Sequence, residues 1–208
     1  LKYSKNTSFY KETKKDFFSE NSKLLNRTLK QNNLYRSQPK RNSCKMCEKK
    51  LPDKIDFESH GIQYVFCENC EHLNGIYEDT REFVEKIYVS DDGDDYSQNY
   101  VDQDYINRTK DIYIPKIEFL NESLPIDNLS ILDVGCGMGY LVHAGLLDNR
   151  EINGIDVNKT MVDMGNKQIK KLLNKSPLQF VGEEAFYDII KETNVPVISA
   201  IGVIEHLR

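Results

Sequence analysis

Two groups of residues in this chain have the types and spacing to do chemistry. The first is a pair of C-x2-C turns, Cys44/Cys47 and Cys67/Cys70, with nineteen residues between them. Each turn offers two sulfurs, and two such turns can bring four thiolates to the corners of a tetrahedron, which suits a closed, structural Zn²⁺ site. A redox dithiol would use one pair and leave the other without a role, and disulfides belong to exported chains. The second group is Asp133-Val134-Gly135-Cys136-Gly137-Met138-Gly139, an acid followed by three alternate glycines. Such a turn bends sharply and lets a ligand approach the backbone closely. From Tyr140 the sequence is helix-compatible, so the turn's unpaired N–H groups favour a carboxylate or phosphate. Asp156 follows 21 residues after Gly135, where a carboxylate can accept hydrogen bonds from both ribose hydroxyls of a nucleoside.

The elements that must position these groups alternate. Ile131–Val134 is an apolar run with one acid, as expected of a strand covered on both faces. Strands are predicted at 130–134, 152–155, 178–181 and 196–201. Helices are predicted from Tyr140, over 159–173 with Met161, Met164, Ile169 and Leu172 as core, and over 184–192. This α/β alternation implies a Rossmann-like parallel sheet with right-handed crossovers, truncated after strand four. Before it, 105–121 reads as an amphipathic helix (Ile106, Ile112, Tyr113, Ile117, Leu120) interrupted at Pro115. Tyr96, Tyr100, Tyr105 and Arg108 stand where a lid could close, and plain packing explains them equally well. A short helix over 80–89 would turn Phe83, Val84, Ile87 and Tyr88 inward. Asp91–Asp95 lacks the frame of a calcium loop and reads as an acidic loop.

A glycine turn after a strand also marks dinucleotide sites, so NAD is one reading. The pattern D-x-G-x-G-x-G, with its acid inside the strand and Asp156 at the end of the next, resembles motif I of the class I S-adenosylmethionine (SAM) methyltransferases. That resemblance implies SAM as cofactor and Asp133, Gly135, Cys136, Gly137, Gly139 and Asp156 as its site. Within it, Asp133 accepts hydrogen bonds at the base of the turn or meets the cofactor's amino group through water. The turn N–H groups face the methionyl carboxylate, Val157 packs on adenine, and Glu184 lies near the adenine amino group. Cys136 fits the turn as a small residue rather than as a reactive thiol. Ala200-Ile201-Gly202-Val203-Ile204-Glu205-His206-Leu207 resembles the segment after strand four in the same superfamily. It makes Glu205 and His206 the candidate catalytic pair, His206 taking a proton and Glu205 orienting it; capping and packing of a following helix is the alternative. The four-cysteine module, the acidic tyrosine-rich connector and the class I domain together resemble the zinc-containing sugar methyltransferases over residues 43–208. A nucleotide-linked or surface-polysaccharide sugar is then the implied acceptor. Carbon-methylating members resemble a pattern with tyrosine two positions before the Glu; Val203 stands there, which favours O-methylation.

Composition sets the bounds. The net charge is −5, yet residues 1–42 carry eleven Lys/Arg against three acids. A basic arm of this kind either solubilises the chain or binds RNA, and the second reading would suit a zinc-finger rRNA methyltransferase. The module itself is acidic and lacks interleaved aromatic and basic residues. A non-catalytic zinc-ribbon interaction protein is the reading from outside enzymology, opposed by the intact Asp133, glycines and Asp156. Part of the arm is expected to form a helix near 14–30. No membrane span or signal pattern is present in the sequence, so a soluble cytoplasmic protein is expected, in an oligomeric state the residues do not encode. The expected organisation is a basic extension (1–42), a zinc module (43–74), a helical connector (75–127) and a SAM-binding domain (128–208). Leu1 and Arg208 suggest a fragment.

Overall fold

The computed structural model describes residues 21–88, 105–124 and 129–204. They belong to two compact units, one within 15–92 and one within 93–207. Asp91–Asp95, Tyr96, Tyr100, Glu205 and His206 lie outside the described residues.

The first unit is built on the cysteine turns. Strands β1 (Phe57–Ser59), β2 (Ile62–Phe66) and β3 (Leu73–Gly75) form an antiparallel sheet in that order. β2 runs directly into Cys67, as its sequence predicts. Its small core joins Leu51 and Val65 to Cys44 and Cys67. Helix α1 (Asn21–Arg36) extends six residues past the end expected at Lys30. Its last turn carries Tyr35, whose ring packs on Tyr77 and Phe83 and whose hydroxyl donates to the Tyr77 carbonyl at 2.7 Å. Thr80 caps helix α2 (Arg81–Tyr88) by accepting from the Phe83 N–H, and Phe83, Val84 and Ile87 are half-buried.

The second unit holds a four-stranded parallel sheet, confirming the α/β class. Its strands are β4 (Ile131–Val134), β5 (Ile152–Asp156), β6 (Leu178–Phe180) and β7 (Val197–Ser199), in spatial order β6-β5-β4-β7. The chain therefore steps outward from β4 to β6, then returns to β4's other side. That reversal makes the C-terminal ends of β4 and β7 the topological switch point of the sheet, the place where open α/β sheets bind ligands. Alternation along β4 serves both faces. Ile131 points into a core made with Met138, Val142, Met161 and Ile169, while Leu132 and Val134 join Ile155, Val181 and Phe186.

Ahead of β4, helices α3 (Tyr105–Arg108) and α4 (Ile114–Ser123) are joined by a π-helical turn, Thr109–Tyr113. The Ile114 N–H reaches back to the Thr109 carbonyl. Pro115 has no N–H and its ring crowds the carbonyl four residues back, so the wide turn absorbs the interruption expected there. The extra residue shifts the buried stripe: Tyr105, Thr109, Ile112 and Ile117 face inward, and Ile106, expected in the core, is exposed. Helix α5 (Tyr140–Leu147) follows the glycine turn, α6 (Lys159–Leu173) follows β5 and α7 (Glu183–Glu192) follows β6. In α6 the expected Met161 and Ile169 are buried and Met164 packs against them, but Leu172 is exposed and Leu173 packs in its place. Gly165 lets α6 lie on the glycine turn: a Cβ there would stand 2.5 Å from the Met138 carbonyl oxygen. No described helix is long and apolar enough to cross a membrane.

Candidate functional site

At the end of β4 the backbone enters left-handed space at Gly135, Gly137 and Gly139 (φ 67°, 53° and 70°), a path that residues with a Cβ resist. Gly139 is the N-cap of α5 (Tyr140–Leu147), which sets the first turn of that helix just beyond the C-terminal end of β4. The turn is held from three sides. From β5, the Ile155 carbonyl accepts from the Gly135 and Cys136 N–H groups at 2.9 and 3.0 Å. From the end of β5, Asp156 accepts from the Gly137 N–H at 2.6 Å and from the Asn158 N–H at 2.7 Å. From α3, the Tyr105 hydroxyl reaches the Met138 and Gly139 carbonyls at 3.1 and 3.3 Å, its ring stacked on Tyr140.

The two candidate acids therefore have different partners. Asp156 supports the glycine turn through one oxygen and the start of α6 through the other. Asp133, expected at the base of the turn, instead accepts from the Ser199 hydroxyl at 2.7 Å across the β4–β7 pair. It is 4% exposed. Burial raises its pKa to about 7, against the hydrogen bond from Ser199, and the neighbouring Asp156 carboxylate adds to the rise. Burial likewise raises Asp156, opposed by the backbone N–H groups of Asn158, Gly137 and Val157. A raised folded-state pKa means that the native chain holds the Asp133 proton after the unfolded chain has lost it. Stability should then fall as pH rises from about 4 to about 7, by about 1.4 kcal/mol for each pH step of one across that window, and level off above it. Asp133→Asn should flatten that slope in thermal melts; an unchanged slope would show that Asp133 is ionised throughout.

The remaining expected residues are placed as follows. Cys136 is buried against Gly154, and burial pushes its thiol pKa up, away from reactivity. Val157 is half-buried against the Leu132 and Phe186 core. Glu184 is exposed in the first turn of α7. The segment after β7 brings Val203 over Gly135, two residues before Glu205. Ser199, Asn158 and Tyr105's hydroxyl bonds are the contributions that sequence reasoning missed. Asn158 alone carried a signal, as a cap residue three positions before Met161, whose N–H its side chain accepts at 3.1 Å.

In the first unit, the Cys44, Cys47, Cys67 and Cys70 sulfurs all lie within 4.8 Å of one another. Cys44–Cys70 and Cys47–Cys67 are 3.6 and 3.5 Å apart, near the edge of about 3.8 Å that a tetrahedron of 2.3 Å zinc–sulfur bonds requires. The two turns are alike: the Cys44 and Cys67 carbonyls accept from the N–H groups of Glu48 and Glu71, both at φ near 60°. Burial alone would raise Cys44, yet hydrogen bonds from the Cys47 and Met46 backbone, the Asn74 amide and Cys70 bring it down to about 6. Cys70 goes the other way, to about 12, because its His72 backbone bond is outweighed by the sulfur of Cys47, by burial and by Cys44 and Cys67. Four sulfurs this close resist ionising together unless a cation lies among them, so the donor set fits a thiophilic divalent ion. His72 is not among the clustered ligands.

No protein-family model matches the chain. Over 72 residues it is 35% identical to "Probable thiol methyltransferase 2" of Arabidopsis thaliana, a match covering 35% of this chain and 32% of that protein. The chain thus spans about a third of the length of the curated relative it matches. Among solved structures it is similar to the magnesium protoporphyrin IX methyltransferase from Synechocystis with bound SAM, at 16% identity and a TM-score of 0.45, over 61% of this chain and 64% of that one. It is also similar to the plantazolicin methyltransferase BpumL in complex with SAH, at 20% identity and a TM-score of 0.38, over 56% of this chain and 44% of that one.

Proposed function

We propose that this chain carries the SAM-binding part of a class I methyltransferase, joined to a structural Zn²⁺ module. The observation that carries the reading is the glycine turn at the sheet's reversal point, tied to the carboxylate that ends the next strand. Each part has a task in that reading. The first-turn N–H groups of α5, just past the glycine turn, take the methionyl carboxylate, and the Asp156 carboxylate takes the ribose hydroxyls. Asp133 offers a buried carboxylate to the amino group, and Val157 lines the adenine side. The cofactor brings an already activated methyl group, so alignment of the acceptor and removal of one proton are what the protein must add. On the sequence motif, Glu205 and His206 form the acceptor-side pair, with His206 as base. Similarity to a thiol methyltransferase over 72 residues supports the cofactor and leaves the acceptor to the motif pattern. On that pattern the acceptor is a nucleotide-linked or surface-polysaccharide sugar, methylated on oxygen, in the cytoplasm.

Calorimetric titration of SAM and, separately, NAD into the zinc-supplemented chain tests this. Saturable one-to-one binding of SAM with none of NAD is expected. Binding of NAD alone, or of neither by a folded protein, would overturn it.

A further inference from the structure

Asn74 is the one buried polar side chain of the first unit, among the described residues, that touches both cysteine turns. It sits at the centre of β3, opposite Val65 of β2 in register, and is 2% exposed. Its Oδ1 accepts from the Lys45 N–H at 2.9 Å, inside the first turn. Its Nδ2 donates to the His72 carbonyl at 2.9 Å, and that same carbonyl accepts from the Cys67 N–H to close the second turn. The second proton of Nδ2 points to the Cys44 sulfur at 3.6 Å. The network leaves no freedom in the amide's orientation. Lys45 presents a donor, which fixes Oδ1 on that side and commits both N–H bonds to the carbonyl and the sulfur.

We propose that Asn74 is a positioning residue for the metal centre: it sets the spacing of the two cysteine turns and donates to the Cys44 thiolate, so that the four sulfurs are arrayed before the ion arrives. The inference rests on the Zn²⁺ reading of the cluster. Its physics is that of outer-shell partners generally, which orient ligands and tune their basicity, and whose loss weakens metal binding about 10- to 100-fold. The residue type matters. Aspartate has the same shape and keeps an acceptor for Lys45, but it replaces the donor with a further negative charge beside four thiolates. Leucine has the same branched outline and makes none of the three bonds.

The test uses the whole chain, loaded with Zn²⁺ for affinity and with Co²⁺ for spectroscopy. Zn²⁺ affinity is read by competition with a chromophoric chelator for the native chain, Asn74→Asp and Asn74→Leu. Native binding at one equivalent tests the Zn²⁺ reading by itself; if the native chain takes no ion, that reading and this inference both fall. With the native chain loaded, both variants should bind Zn²⁺ at least tenfold more weakly. The Co²⁺ form gives a readout that simple loss of packing would leave in place. A hydrogen bond to a thiolate lowers the energy of its lone pairs, so removing it should move the sulfur-to-cobalt charge-transfer band to longer wavelength in both variants. Affinities within threefold of native, or weaker binding with the band unmoved, would overturn the proposal while leaving the Zn²⁺ reading intact.

Discussion

Asp156→Ala should weaken SAM binding at least 100-fold while leaving the chain folded. In the native site this carboxylate has two jobs. It holds the Gly137 and Asn158 N–H groups, and in the proposed function it receives the ribose. Hydrogen bonds to a charged group contribute about 1.5–3 kcal/mol each, so losing two ribose bonds costs about 3–6 kcal/mol, or two to four decades of affinity. Removal of the turn's support adds to the loss, since the glycine turn that leads into α5 would no longer be held in place. Asp156→Asn separates the two jobs. It keeps the shape but has one acceptor oxygen where the site uses two, so it should fall between native and alanine. Calorimetry of the three proteins, with circular dichroism to show that each is folded, measures this. Alanine binding SAM within threefold of native would show that the carboxylate carries neither job.

The second large effect is expected in the first unit. Cys67→Ser, or stripping of the native chain with a strong chelator, should unfold the residues around the cysteine turns and leave the parallel sheet standing. The reason is the size of the core. Among the described residues, Leu51 and Val65 are the buried aliphatic members of the Cys44–Cys67 cluster, and so little apolar area does not offset the entropy of ordering the turns. Structural zinc contributes about 10 kcal/mol or more to comparable modules. Hydrogen exchange read by mass spectrometry separates the units. Peptides within 43–77 should lose protection while those within 129–200 keep it. Retained protection in 43–77 after both treatments would show that the unit holds itself together without an ion.

Much of this was legible in the residues because local rules agreed with one another. An apolar run, three alternate glycines and a helix-compatible continuation place β4, its turn and α5 without reference to anything distant. The paired C-x2-C spacing did the same for the sulfur cluster. What was not legible depended on strand order and on side chains meeting across the sheet. Ser199 bonds Asp133 only because β7 returns beside β4, and nothing in either segment announces that neighbour. Tyr105 reaches the glycine turn from 33 residues away. Ile106 was misassigned for a different reason: a 3.6-residue period carried through a π-turn slips by one position, and the stripe 105, 109, 112 continues at 117 rather than 116. Leu172 and Leu173 exchange places in the last turn of α6, where either face is available to a fraying helix end.

In the proposed function SAM binds at the glycine turn between β4 and α5, with Asp156 beside it. Backbone amide NMR of the isotopically labelled chain, titrated with the stable product analogue S-adenosylhomocysteine, reads that placement residue by residue. The amides of Gly135, Gly137, Gly139 and Asn158 should shift together and saturate with a single dissociation constant, while those of 43–77 stay in place. Saturating shifts that bypass the glycine turn, or no shifts from a folded protein, would contradict it.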